Sequence, residues 1–204
     1  KGSDAADTID LTKFTDNGTG VITINGGSGD DTIKVAAFTA TKVVINGGAG
    51  KDSLMATLDA GSNGVLPAAQ YSNIENFFIR NVSGTNPANT FNFASYSGEE
   101  QVWNDRSSNA VVVTGLAAGT TVGVKGNGAV VAGATNAIYA AAATAANIAL
   151  DGGIATGSAA VSVNGGAGMT SATLTSTGGA NSIGDLNLAA ATTGLTVDAQ
   201  SNVV

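Results

Sequence analysis

Apolar positions along the chain fall in short, mostly β-branched runs, each broken off by glycine, asparagine, serine or threonine. The first third carries three such runs, at 21–24, 32–35 and 42–45. The second half carries eight more, at 111–113, 122–124, 129–131, 147–150, 161–163, 173–175, 186–188 and 195–197. Brief β-branched segments punctuated by small turn residues predict strands, and many in succession predict a solenoid or a sandwich. Residues 137–146 compete with that reading, because alanine there favours helix, although no amphipathic stripe accompanies it. Between the two halves, residues 61–106 hold seven of the ten aromatics: Tyr71, Phe77, Phe78, Phe91, Phe93, Tyr96 and Trp103. Phe91-Asn92-Phe93 alternates as a strand does. The segment is therefore expected to form local core that plugs the solenoid or joins two stretches of it, rather than a platform on which a ligand stacks.

The polar breaks after the first runs follow a rule. Gly26-Gly27-Ser28-Gly29-Asp30-Asp31-Thr32-Ile33-Lys34 and Gly47-Gly48-Ala49-Gly50-Lys51-Asp52-Ser53-Leu54-Met55 both fit G-G-x-G-x-D-x-U-x, with U apolar. Glycine takes left-handed dihedrals without a Cβ penalty, which lets such a turn aim backbone carbonyls at a cation. Aspartate adds a charged hard oxygen of the kind Ca²⁺ prefers. The pattern is the calcium-binding nonapeptide of parallel β-rolls, and it places Ile33 and Leu54 in the core. A degraded copy opens the chain, Gly2-Ser3-Asp4-Ala5-Ala6-Asp7-Thr8-Ile9-Asp10, with Asp7-Thr8-Ile9 in register with Asp31-Thr32-Ile33. Asp7, Asp31 and Asp52 are 24 and then 21 residues apart. That exceeds the coil of a tight roll, which takes two nonapeptides, about 18 residues. The spacing predicts one glycine turn per larger coil, stacked on one edge, with two gaps for about two calcium ions. A fourth glycine turn, Gly165-Gly166-Ala167-Gly168-Met169-Thr170, has threonine in place of the aspartate. There the turn shape is expected to persist without strong calcium binding.

Composition narrows the function classes. Hydrophobic residues make up 43%, so a sizeable core is possible, while charged residues make up only 11%, less than half the usual share. The net charge is -7 with only eight Lys and Arg and no basic run, which argues against nucleic acid. From Ser107 onward four charges remain, Lys125, Asp151, Asp185 and Asp198. Neutral Ser, Thr and Asn ladders on stacked strands would avoid the repulsion that like charges suffer. There is no cysteine, hence no disulfide framework, thiolate zinc site or thiol chemistry. There is no histidine either, so the usual Ser-His-Asp, Cys-His and His-metal arrangements cannot be built. Glu99 and Glu100 are adjacent, but strand neighbours point to opposite faces, so they are not expected to converge as an acid-base pair. No run of 18 apolar residues is present, and no membrane-spanning helix is expected.

The two nonapeptides are followed by Ser72-Asn73-Ile74-Glu75-Asn76-Phe77-Phe78-Ile79 and then by a low-charge Thr/Ala/Gly/Val tract. This combination resembles the RTX-containing surface-layer proteins of Gram-negative bacteria, which form two-dimensional crystalline coats from calcium-dependent β-solenoids. Large RTX adhesins and secreted RTX proteins share the nonapeptide alone. The resemblance implies Asp31 and Asp52 as side-chain ligands, with carbonyls from Gly26, Gly27, Ser28, Gly29, Gly47, Gly48, Ala49 and Gly50. Asp7 joins them without the Gly-Gly-x-Gly that should precede it. Asp4, Asp30 and Glu75 are further candidates, Glu75 more readily as a capping or turn residue.

The expected organisation is an RTX-type calcium-binding β-roll over 1–60, an aromatic connecting segment over 61–106 and a low-charge β-solenoid or sandwich over 107–204. The expected role is structural: a non-enzymatic piece of a secreted, extracellular protein of the bacterial cell surface. Its main partners would be copies of itself in the lattice. Lys1 opens the chain without a signal peptide, so it is read as an excised piece of a larger protein, and cell-surface polysaccharide or lipopolysaccharide would be reached through regions outside it. Two rival classes are a glycan- or host-binding module of a large adhesin and an accessory domain of a polysaccharide-active enzyme. An exposed aromatic patch would favour the first, and convergent carboxylates in a groove the second.

Overall fold

The computed structural model describes residues 1–14, 20–36, 43–59, 70–83 and 88–204. They fold as an all-β parallel solenoid, with no α-helix among the described residues. Nine strands form one long sheet in sequence order: β1 (Thr8–Asp10), β3 (Thr32–Val35), β5 (Ser53–Leu58), β7 (Asn76–Asn81), β9 (Gln101–Asp105), β11 (Thr121–Lys125), β13 (Ala145–Asp151), β15 (Ser171–Thr177) and β17 (Gly194–Ala199). The alternate strands form two shorter sheets. One holds β2 (Ile22–Ser28), β4 (Val43–Ala49) and β6 (Tyr71–Ser72). The other holds β8 (Ala88–Asn92), β10 (Ala110–Leu116), β12 (Thr135–Tyr139), β14 (Val161–Asn164) and β16 (Leu186–Asn187). Every pairing among the described residues is parallel, and the step from one coil to the next varies from 20 residues (Gln101 to Thr121) to 26 (Thr121 to Asn147). The long sheet runs through all three segments, so residues 107–204 continue the same solenoid.

The alternation within each strand builds the coil. One inward column of the long sheet runs Ile33, Leu54, Phe77, Val102, Val122, Ile148 and Leu174, all buried. The adjacent outward column runs Thr32, Ser53, Asn76, Gln101, Thr121, Asn147 and Thr173. It is the neutral ladder that stacked strands favour, because like charges a strand spacing apart repel. Five of the seven mid-chain aromatics enter the core: Tyr71, Phe77, Phe91, Phe93 and Tyr96. Phe77, Phe93 and Tyr96 meet edge to face, with ring centroids 5.1 to 6.1 Å apart, the geometry that aligns a positive ring edge with a negative face.

Two local expectations change. Residues 137–146 are not helical: Ala137 stands in β12 between Val113 and Val163 of the neighbouring coils, and Ala145 already belongs to β13. Pairing on both sides of β12 satisfies its backbone, and that outweighs the helix propensity of alanine. Residues 129–131 form no strand. Asn127 and Gly128 turn with positive φ, and the Gly128 amide donates to the carbonyls of Gly152 and Gly153. The first predicted runs are longer than expected at one end, since β2 and β4 continue through the opening residues of the nonapeptides. Lys42 and the boundary between residues 60 and 61 lie outside the described residues.

Candidate metal centre

Register converts spaced carboxylates into a column. Thr8, Thr32, Ser53, Asn76 and Gln101 lie on one ladder of the long sheet. The residues just before them are Asp7, Asp31, Asp52, Glu75 and Glu100. Further along, the same place is taken by Thr120, Ala146 and Ala172, so the column is acidic at one end and neutral at the other.

Each coil holds the carboxylate of the next. Asp31 Oδ1 accepts the Asp7 amide at 2.8 Å, and Asp52 Oδ1 accepts the Asp31 amide at 2.8 Å. Glu75 Oε2 accepts the Asp52 amide at 2.7 Å, the same bond made with a longer side chain. The second oxygens differ. Asp31 and Asp52 are only 1% and 0% exposed, and Oδ2 of each has no hydrogen-bond partner. A buried carboxylate oxygen without a partner is costly unless a cation faces it. Burial pushes the Asp52 carboxyl up from its ordinary value, the bond from the Asp31 amide opposes that, and the charges of Asp31, Glu75 and Asp30 push it further up.

The glycines supply the other half of the geometry. Gly27, Gly29, Gly48 and Gly50 have φ of 120°, 98°, 117° and 137°, a region that a Cβ disfavours. The turns stack on one another, Gly27 beside Gly48 and Ser28 beside Ala49. A Cβ on Gly26 would fall on Asp31 Oδ2 and on the Gly47 carbonyl oxygen. One on Gly47 would fall on Asp52 Oδ2 and on the Asn73 carbonyl oxygen. Each unpartnered carboxylate oxygen therefore shares the open flank of a glycine with a carbonyl of the next coil. These are hard oxygens of the type calcium takes, and the donor set fits that ion. Among the described residues no three Asp, Glu, His or Cys converge on one point, so backbone carbonyls would complete much of the shell.

The remaining candidates are placed differently. Asp7 Oδ2 accepts the amide and hydroxyl of Ser3, which hold its pKa below the ordinary value. Asp4 is exposed. Asp30 is also exposed and accepts the Lys51 amide at 2.8 Å. The Ala49 carbonyl accepts the Gly29 amide. Lys51 reaches past the next coil to Glu100 at 2.6 Å. In the fourth glycine turn, Gly166 and Gly168 are not in the left-handed region, so the turn shape does not persist. Thr170 also misses the acidic column, where register puts Ala172. Sequence reasoning overlooked Ser3 and the backbone of Asn73. The signal for Asn73 was present, because Asn tolerates the left-handed conformation and stands two residues before Glu75, as glycine does before aspartate in the copies.

The other candidate chemistry does not assemble. Glu99 and Glu100 lie in the loop before β9 and diverge, Glu99 toward the Ala117 amide at 3.0 Å and Glu100 toward Lys51. Phe78 and Trp103 face outward on the long sheet, but Trp103 is only 9% exposed. Its ring lies against Gly123 on one side and stacks 6.3 Å from Phe78 on the other, leaving no open face. No family model, curated protein or solved structure matches the chain.

Proposed function

We propose that this chain is a structural module of a secreted, calcium-dependent surface-layer protein, in which Ca²⁺ between stacked turns completes the fold and licenses assembly into a lattice. The observation that carries the reading is the pair of buried, unpartnered oxygens, Asp31 Oδ2 and Asp52 Oδ2, each facing a carbonyl across a glycine flank. A cation there neutralises stacked carboxylates that otherwise repel. Because the site spans separate coils, binding free energy becomes folding free energy. Such a module stays loose where calcium is scarce and closes where it is abundant, which suits export before assembly. The burial of five mid-chain aromatics and the covered faces of Trp103 favour a structural role over glycan stacking.

Thermal unfolding by circular dichroism, in EDTA and then in millimolar Ca²⁺, tests the reading. At a hundredfold excess over Kd each site adds about 2.7 kcal/mol. For a chain of this size two sites raise the midpoint by about 10 °C or more. The Asp31→Ala/Asp52→Ala variant is expected to lose that rise. A wild-type midpoint indifferent to calcium would remove the main support for a surface-layer role. Where the rise is found, imaging for calcium-driven two-dimensional sheets tests the lattice itself.

A further inference from the structure

We propose that the two cations sit one coil further along than the three glycine turns suggest. One lies between the coil of Gly26 and Asp31 and the coil of Gly47. The other lies between the coil of Gly47 and Asp52 and the coil of Asn73 and Glu75. Asp7 is outside the set. The placement rests on the calcium reading above and goes beyond it, because the fourth coil carries no glycine-aspartate nonapeptide.

Three oxygen pairs of the same design follow one another up the column. They are Asp7 Oδ2 with the Gly26 carbonyl, Asp31 Oδ2 with the Gly47 carbonyl, and Asp52 Oδ2 with the Asn73 carbonyl. Only the last two carry a buried oxygen without a partner. In the first, Ser3 donates twice to Asp7 Oδ2 from within the same loop, so the protein itself supplies what a cation would. The first coil is closed and the next two are open.

The fourth coil is built to close the second opening. Asn46 pairs with Ser72, which sets Asn73 beside Gly47. Asn73 has φ 51°, the left-handed conformation that Asn adopts more readily than other side chains. Its Nδ2 donates to Asn46 Oδ1 at 2.8 Å, tying the two coils together at the site. The next residue is pinned from the core: the Tyr96 hydroxyl donates to the Ile74 carbonyl at 2.8 Å and accepts the Ile74 amide at 2.9 Å. The residue after that, Glu75, takes the aspartate's place on the column and bonds the Asp52 amide. An αL residue, a fixed carbonyl and a carboxylate thus replace the glycine turn without repeating its sequence.

Calcium titration of the EDTA-stripped 204-residue chain by isothermal calorimetry reads the number of ions directly. Wild type is expected to bind two, Asp7→Asn two and Asp52→Asn one. Two ions in Asp52→Asn with one in Asp7→Asn would put the sites between the three glycine turns and overturn the placement. Three ions in wild type, with each variant losing one, would overturn the exclusion of Asp7. No calcium bound by wild type would instead defeat the calcium reading as a whole. If Asp52→Asn does not fold, Glu75→Gln takes its place. It keeps an acceptor for the Asp52 amide and removes one charge from one site only, so it is expected to weaken one of the two sites by about tenfold, because ligand charge count tunes affinity. An unchanged isotherm would overturn the role given to the fourth coil.

Discussion

Single residues set the tolerance of the acidic edge. Gly48 has φ 117°, and a Cβ there would meet the Gly27 carbonyl of the coil below. Gly48→Ala is therefore expected to destabilise by more than the 1–2 kcal/mol or so of a left-handed Cβ alone. Urea unfolding would show it as a lower midpoint with an unchanged slope. Glu99 makes the opposite case. It is 6% exposed, only Oε1 has a partner, and burial pushes its carboxyl up from its ordinary value. An acid whose pKa is higher folded than unfolded binds its proton more tightly in the native state. Its contribution is fully present below the unfolded pKa and is lost as pH rises through the folded one. Glu99→Gln is therefore expected to raise the midpoint at pH 7 and leave it nearly unchanged at pH 4. A thermal series across that window checks it, and an equal shift at both values would contradict it. At this scale the sequence was partly legible. The motif named Asp31, Asp52 and their glycines from local geometry. It could not show that Ser3 satisfies Asp7 or that the Asn73 carbonyl faces Asp52, because both depend on how one loop meets another.

Strands and their register decide which residues form a column. Thr8, Thr32 and Ser53 pair as the spacing of Asp7, Asp31 and Asp52 implies, because each aspartate leads directly into a strand. The fourth glycine turn copies the string but not the place, since it enters β15 two residues away from the column. Composition misled at 137–146 for a related reason. Alanine is a helix former alone, yet inside a coil it is simply small enough to stack between valines. The same fit of small to large operates on the outer face. Gly123 lies beside Trp103 on the long sheet, and a Cβ there would enter the indole ring. The ring is held by a bond from Nε1 to Gln101 Oε1 at 2.8 Å, by Phe78, and by Lys125 Nζ at 5.7 Å from its centroid. Gly123→Ala is expected to push the ring into solvent at a cost of about 1–3 kcal/mol. Because Trp103 is the sole tryptophan, its emission reports the change: a red shift in the variant, and none if the ring has room to stay.

Across the molecule the buried side chains form one continuous core, yet each strand pairs only with those of the adjacent coils, so stability is close to a sum of coil terms and interfaces. The acidic column occupies the coils of β1 through β9, and from β11 onward the same place holds Thr120, Ala146 and Ala172. The chain thus divides by what stabilises its interfaces. The later coils stack neutral side chains and need no ion. The earlier ones stack carboxylates whose repulsion grows with each added coil, and Lys51 meets that column at its far end, bound to Glu100. Local opening free energies follow such differences and are read residue by residue through amide exchange. Calcium is expected to slow exchange strongly in β3, β5 and β7, whose coils flank the two proposed sites. The gain should fade along β9 and β11 and be near zero in β15 and β17. Nearest-neighbour coupling requires that decay, because a coil feels an ion only through the coil between them. A uniform gain along the whole sheet would mean that the solenoid opens as a single unit, with the calcium sites controlling all of it rather than one end.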